Sequence, residues 1–336
     1  MIRKRKLVSI LIPVYNREAL IGETIQSAIK QSYEDIEIVV VDNCSTDNTW
    51  KILQDFARRD SRIRIFRNEK NIGAVRNWKK CIDSATGCYG KILWSDDLIS
   101  PDFLEKTVPF LENPNVGFVY TPVICFGEGK KETNFDYLPG KQGYYSSNEF
   151  IEGSLLGHNY PVSPGCALFR MQDLRKNLIV DLPKNIKSNF TQYAIGNDVL
   201  IFLLTAKDYP LFAFSENATS YFRAHANSIT ISSERAKIPL HYALAKSFFI
   251  DRHFSEYEYL NKEFNAILQL LLLKYYNNSY NLKKITDFYI KNKRLKFSYK
   301  YLVNCLIERI VLKTKSQYTL CYQALKDRLV PFLRDE

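Results

Sequence analysis

Asp96 and Asp97 stand side by side directly after the apolar segment Lys91-Ile92-Leu93-Trp94-Ser95, and Ser100-Pro101-Asp102 signals a helix start just behind them. Two like charges at the mouth of a strand repel each other and are costly to desolvate unless something cationic joins them. A divalent cation carrying a nucleotide diphosphate meets that need. A solvated strand end with a helix cap is the plainer alternative, and the pair alone does not decide between the two.

The first 120 residues alternate in a way that would position such a pair. Apolar, β-branched runs at Leu7–Val14, Ile36–Val41, Arg62–Phe66, Gly90–Trp94 and Val116–Thr121 predict strands. Helical patterns lie between them, at about Glu18–Gln31, after Ser45-Thr46-Asp47 to about Arg59, from Asn71-Ile72-Gly73 to Ala85, and over Pro101–Glu112. Strands without in/out alternation, spaced by helices, predict a mostly parallel α/β sheet covered on both faces. Ligands of such sheets bind beyond the carboxyl ends of the strands. Asn16, Asp42 and Asp96-Asp97 all fall at those ends.

The glycine-rich Gly127–Gly143 stretch predicts a hairpin or mobile loop. Beyond it come a helix over Asn148–Leu156, a strand over Gly165–Arg170, a helix around Asp198–Lys207 and a strand near Thr219–Phe222. From Glu234 to about Leu333 the pattern reads as almost wholly helical.

Composition narrows the class. The 336 residues are enough for one large domain or two, and 46% hydrophobic with 25% charged residues is ordinary for a globular protein. Seven cysteines, none in a Cys-x-x-Cys pair, fit reduced core thiols of a cytoplasmic protein better than disulfides or zinc. The N-terminal apolar run is short, is broken by Pro13 and lacks a cleavage site, so a first strand is expected there and not a signal peptide. No run approaches the ~20 apolar residues of a membrane span, so an integral membrane protein is not expected. No Gly-x-Gly-x-x-Gly follows the first strand, and no glycine-rich phosphate loop opens the chain, which argues against a dehydrogenase and a nucleotidyltransferase.

Four segments in order resemble the family 2 glycosyltransferases, which have the GT-A fold: Ser9–Glu18, Val39–Thr49, Asn71-Ile72-Gly73 through Asn77-Trp78 to Ala85-Thr86-Gly87, and Ser95-Asp96-Asp97. The resemblance covers about residues 7–230. It implies a GT-A domain over residues 1–230, with a nucleotide-binding half over about 1–120 and an acceptor half over about 121–230. A basic, mainly helical region over 231–336 follows.

By that resemblance Pro13, Val14, Tyr15 and Asn16 line a base pocket. Asp42 accepts the N3–H of uracil or thymine, or a comparable donor, because an ionised carboxylate only accepts; a turn residue is its alternative. Asn71 and Arg76 belong to the pocket wall, Arg76 either pairing with a phosphate or standing as a solvated helix charge. Trp78 and Cys81 read as core. Ser95 and Asp96 face the nucleotide and Asp97 ligates Mn²⁺ or Mg²⁺, a hard cation bridging it to both phosphates. Where many relatives carry Asp-x-Asp-Asp, this chain has Trp94-Ser95-Asp96-Asp97, which leaves open the oxygens completing the metal shell.

In the acceptor half, Pro164–Arg170 and Ile195–Leu203 resemble the family, with Asn197 where it usually has Glu and with Asp198 at the position of the catalytic base. A helix N-terminus is expected to keep the Asp198 pKa low; a simple helix cap is the alternative. Tyr221–Thr230 looks like the family's Arg-x-His-x-x-Ser loop, which implies a metal or diphosphate contact for His225 and charge stabilisation by Arg223. The expected activity is metal-dependent, inverting transfer of a sugar from a nucleotide-diphosphate donor to a glycan or lipid-linked glycan in bacterial surface polysaccharide synthesis. A non-catalytic nucleotide-sugar-binding subunit of a glycan assembly complex is the rival.

Charge is uneven along the chain. Residues 231–336 carry 19 Lys and Arg against 10 Asp and Glu, whereas residues 1–230 carry 28 against 26, so the basic excess lies in the C-terminal third. A solvated bundle is its plain reading. An anionic membrane surface, at ~1 kcal/mol per nearby Lys or Arg, is the second, and fits a cytoplasmic protein peripheral to the inner face of the membrane. Nucleic acid ranks last for want of a recognisable module.

Overall fold

The computed structural model describes residues 6–127, 130–135, 137–181, 194–225, 233–290 and 296–307. Strand β1 (Val8–Val14) and strand β2 (Ile36–Asp42) are buried along their whole length. Helix α1 (Ile21–Ile29) joins them, and α2 (Thr49–Arg59) leads on to β3 (Ile63–Arg67). Then come α3 (Ala74–Ser84), β4 (Tyr89–Ile92), the two-residue β5 (Leu98–Ile99), α4 (Phe103–Leu111) and β6 (Val116–Tyr120). The hairpin β7 (Val123–Gly127) and β8 (Lys130–Phe135) precedes β9 (Gly143–Ser146) and α5 (Ser147–Leu156). The chain continues through β10 (Ala167–Arg170), α6 (Met171–Asn177), α7 (Asn197–Asp208), β11 (Leu211–Phe214), β12 (Ser220–Arg223), α8 (Lys237–Arg252) and α9 (Asn261–Lys274).

The main sheet has the order β3-β2-β1-β4-β10-β6-β11-β9. Strands β1 to β4 pair in parallel, β10 is inserted antiparallel, and β6 and β11 are parallel to each other again. Successive strand residues face opposite cores. Leu11, Val39 and Val41 join Val75 and Trp78 of α3 and Phe202 of α7, whereas Ile10, Ile12 and Val40 join Ile25 of α1, Leu53 of α2 and Leu104 of α4. A strand with no solvated face requires this double cover, so the expected α/β architecture with a mostly parallel sheet is the one observed.

The close approaches have local causes. Ser9 and Glu37 are buried polar residues in the sheet, and the Ser9 hydroxyl donates to Glu37 at 2.6 Å, as do the Thr86 and Gly87 N–H groups. A Cβ at Gly87 would meet Ser9 Oγ at 2.5 Å and the Leu7 carbonyl at 2.8 Å, so only glycine lets that turn close.

Four differences from the sequence expectations matter. Strands β7 and β8 pair antiparallel in a second sheet, β5-β12-β7-β8, as the hairpin reading but not the loop reading required. Strands β9 and β11 and helix α6 were not expected at all. The predicted helical run beyond Glu234 breaks at Tyr275–Phe297, where only a 3₁₀ turn at Ile285–Phe288 interrupts irregular chain among the described residues. There the Asn278 amide donates to the Tyr275 and Leu282 carbonyls, while its oxygen accepts from Tyr280 and Leu282 N–H. Such local bonds compete with a helix. Helix resumes at 299–307, and the predicted stretch from 308 lies outside the described residues. Finally, of the described cysteines, all free, only Cys81 and Cys166 are buried.

Helices α8 and α9 share the core of α7 through Leu240, Leu244, Phe249, Phe264 and Leu268. Among the described residues, no helix is long and apolar enough to cross a membrane.

Candidate active site

The loops after β1 and β2 are bound to each other at the carboxyl edge of the sheet. The Asn16 N–H donates to Ser45 Oγ at 2.9 Å, and Asn16 Oδ1 accepts from Thr46 N–H at 2.9 Å. Asn16 and Cys44 both adopt positive φ, 50° and 63°; asparagine tolerates that region better than most residues. Asp42, the last residue of β2, has no exposed surface. Its carboxylate accepts from Ser45 N–H and hydroxyl, and Arg67 Nε lies 3.1 Å from Oδ2.

The expected base-pocket residues therefore divide. Tyr15 is 40% exposed and presents a ring, but the Pro13 and Val14 side chains are buried, Val14 within the core. Those two sit on a strand covered on both faces.

A network of buried Asn43, Asn68 and Asn77 with exposed Asn71, not foreseen as such, ties β2 to the start of α3. The Asn68 amide donates to Asn43 Oδ1 at 3.0 Å and to Asn77 Oδ1 at 2.9 Å. Asn43 donates to Asn71 Oδ1 at 2.9 Å, and Asn77 donates to the Val41 carbonyl at 2.9 Å. Asn71 thus takes a place in the scaffold, and its oxygen also accepts from Gly73 N–H. Arg76 pairs with Asp181 at 2.7 Å in an exposed position, and Trp78 and Cys81 are core, as expected.

The acid pair is assembled by the second sheet. Strand β12 pairs with β5, which begins one residue after Asp97, and so brings Arg223 and His225 more than a hundred residues back along the chain. The Arg223 N–H donates to Asp97 Oδ1 at 2.9 Å and its Nε donates to the Asp96 carbonyl at 3.0 Å. Its guanidinium also pairs with Glu23 of α1 and lies 4.5 Å from the Phe126 ring. His225 Nε2 is 2.8 Å from Asp96 Oδ2, with Arg17 Nε at 3.8 Å from the same oxygen. The remainder of the matched loop, Ala226–Thr230, lies outside the described residues.

Asp97 is 7% exposed. Burial first, and the neighbouring Asp96 charge second, push its carboxyl well above the usual range. Ser95, also nearly buried, precedes the pair. Beneath them Lys91 is fully buried on β4, donating to the Gly165 carbonyl with its ammonium 4.5 Å from the Phe103 ring. Burial pushes its pKa down to about 7, against the pull of nearby Cys166 and Asp97. This lysine was read only as the start of an apolar strand.

Helix α7 runs back across the sheet before β11, which is parallel to β6, so its N-terminus returns to the carboxyl edge. Asp198 stands there, 7% exposed. Its Oδ1 accepts from Gly196 N–H at 2.8 Å and Val199 N–H at 2.9 Å, and its Oδ2 from the Tyr242 hydroxyl at 2.6 Å. The expectation of a low pKa is corrected: burial outweighs these donors and pushes the carboxyl up to about 6. Tyr242 comes from α8, which had no expected part in the site. Asn197 is fully buried, donates to the Ile179 carbonyl at 2.6 Å and has no partner for its Oδ1 among the described residues. Just before Pro164–Cys166, the Ser163 hydroxyl accepts from Trp94 Nε1 at 3.0 Å.

Mn²⁺ or Mg²⁺, implied by the resemblance, finds hard oxygen donors in Asp96 and Asp97 and a nitrogen in His225. Burial and the Asp96 charge raise the proton affinity of Asp97, and a bound cation would favour its ionised form. Among the described residues no three or more His, Cys, Asp or Glu side chains converge into a ready ligand set. The residues fit such an ion as a partial shell, which donor phosphates would complete.

A sequence model described as "Glycosyl transferase family 2" matches residues 9–178. TuaG of Bacillus subtilis (strain 168), described as a proposed glycosyltransferase of teichuronic acid biosynthesis, is 38% identical over 117 residues, 35% of this chain and 46% of TuaG. The chain thus spans about half the length of that relative. The Escherichia coli UDP-Glc:alpha-D-GlcNAc-diphosphoundecaprenol beta-1,3-glucosyltransferase WfaP is 27% identical over 230 residues, 67% of this chain and 80% of WfaP. S. aureus TarS 1-349 in complex with UDP-GlcNAc matches with a TM-score of 0.54 at 19% identity, over 75% of this chain and 73% of that one. The shared fold is GT-A.

Proposed function

The chain belongs to glycosyl transferase family 2, and from that premise we propose that it transfers a sugar, with inversion, from a nucleotide-diphosphate donor to a hydroxyl of a glycan or lipid-linked glycan in surface polysaccharide synthesis. The observation that carries this reading is that one sheet edge holds both an acid pair flanked by Arg223 and His225 and a buried carboxylate, Asp198, poised at about 6. A carboxyl with that proton affinity is ionised at neutral pH yet basic enough to take a proton.

The acceptor hydroxyl gives its proton to Asp198, its oxygen bonds to the anomeric carbon, and the bond from that carbon to the diphosphate breaks on the opposite face. Arg223 and His225 lie where the leaving diphosphate gathers charge. Asp97, with Asp96 and His225, would hold the divalent cation, which when bound neutralises part of that charge. Tyr15 offers its exposed ring to the base, beside the backbone of Pro13, Val14 and Asn16. Asp42 would meet a base edge through the acceptor site that Ser45 and Arg67 leave, or by exchanging one of them. Arg76 reaches a phosphate by releasing Asp181.

The test is release of UDP from UDP-glucose and UDP-N-acetylglucosamine, the donors in the relatives' names, with Mn²⁺ and a lipid-diphosphate-linked sugar acceptor. Release that EDTA abolishes and Asp97→Asn suppresses is expected. Binding without release would instead support a nucleotide-sugar-binding subunit. The basic excess of residues 231–336, with Leu273, Tyr276, Tyr299 and Val303 exposed, supports peripheral contact with an anionic membrane. Liposome flotation independent of anionic lipid would remove that partner.

A further inference from the structure

We propose that Tyr242 is a positioning residue for Asp198: its hydroxyl fixes the carboxylate oxygen that receives the acceptor proton and sets the pH at which that oxygen works. This rests on the reading of Asp198 as the general base.

An ionised carboxylate offers about four acceptor sites. Gly196 and Val199 N–H occupy Oδ1, and the Tyr242 hydroxyl occupies Oδ2 at 2.6 Å. Among the described residues the three donors leave one site, on Oδ2, and hold the group from both sides. An incoming alcohol therefore meets Oδ2 beside the tyrosine oxygen. Tyr242 itself remains a neutral donor, because burial first and the Asp198 charge second push its own pKa well above the ordinary value.

The groups acting on Asp198 are of opposite sign. Burial favours the protonated acid, whereas Tyr242 foremost, then Val199 and Gly196 N–H, favour the anion. Tyr137 also lies close enough to act electrostatically on Tyr242. Lys246, one turn further along α8, donates to the Ser154 carbonyl of α5 and anchors the helix that carries the tyrosine. Helix α8 lies beyond the family-matched residues 9–178, so the C-terminal region completes a site whose acids come from the matched part and its continuation.

The experiment uses the full chain and Tyr242→Phe, with Asp198→Asn to assign the Asp198 resonance. Carboxyl ¹³C NMR follows the titration directly, and hydrolytic release of UDP from UDP-glucose with Mn²⁺ gives the acid limb of kcat/KM. Loss of one hydrogen bond to the anion is expected to move both upward by about 1 pH unit, with donor KM unchanged. If Tyr242→Phe does not fold, 3-fluorotyrosine at the same position, a stronger donor of native shape, is expected to move both downward. An Asp198 titration that stays at its wild-type pH in either variant overturns the Tyr242 role alone. Full turnover by Asp198→Asn overturns the base reading and the positioning role with it.

Discussion

Asp198→Asn separates the demands of folding from those of chemistry. The substitution keeps the side-chain shape and removes a charge that is 7% exposed. Gly196 and Val199 N–H still find an oxygen, and the Tyr242 hydroxyl can turn to accept from the new amide. In the native protein the carboxyl moves from 3.8 to about 6, with burial the largest cause. An acid whose folded pKa is raised favours folding when protonated. Its contribution is complete below the unfolded value and is lost as pH rises through the folded one. A shift of about two units corresponds to roughly 3 kcal/mol, carried by wild type above pH 7 and absent from the variant. Asp198→Asn is therefore expected to be the more stable protein at pH 8 by up to that amount. The advantage should shrink toward pH 4, while turnover falls by about 10²–10⁴. Urea unfolding followed by circular dichroism between pH 4 and 8 reads the first effect. A stability difference that does not grow with pH, or a less stable variant at pH 8, would refute the burial argument.

Lys91→Met removes a buried ammonium whose pKa is pushed down to about 7. A lowered lysine penalises folding fully below that pH and less as pH climbs toward the unfolded value, so the variant should gain more stability at pH 6 than at pH 9 in urea unfolding. Asn68→Ala leaves Asn43 and Asn77 oxygens without their shared donor. It is expected to cost about 1–3 kcal/mol and to weaken UDP binding in calorimetry, since the network holds the loop beside Asp42. Gly87→Ala sets a methyl group against Ser9 Oγ and the Leu7 carbonyl; a loss of roughly 1–3 kcal/mol in thermal or urea unfolding is the expected result.

The parallel sheet was legible because β1 and β2 are unbroken apolar runs, a pattern that only double cover explains. The carboxyl-edge positions of Asn16, Asp42 and Asp96-Asp97 followed from it. The second sheet was not legible: β5 has two residues, and its partner β12 begins 121 positions after it ends. Its pairing is nonetheless what delivers Arg223 and His225 to the acid pair. Lys91 escaped notice because a lysine in a strand ordinarily marks a solvated face, and here it does not. The Asp198 pKa was misjudged because a helix-terminus argument counts the favourable dipole and omits the lost hydration, and at this depth the second is larger. Nothing in local sequence could pair Tyr242 with Asp198; that contact depends on how α8 packs on α7.

The central claim is that Asp198 takes the acceptor proton at the same sheet edge where the donor binds. Single-turnover consumption of UDP-glucose by wild type and Asp198→Asn, with UDP affinity measured on both by calorimetry, tests it most directly. Unchanged UDP affinity, with consumption slowed by about 10²–10⁴ in the variant, is expected. Consumption at the wild-type rate would contradict it.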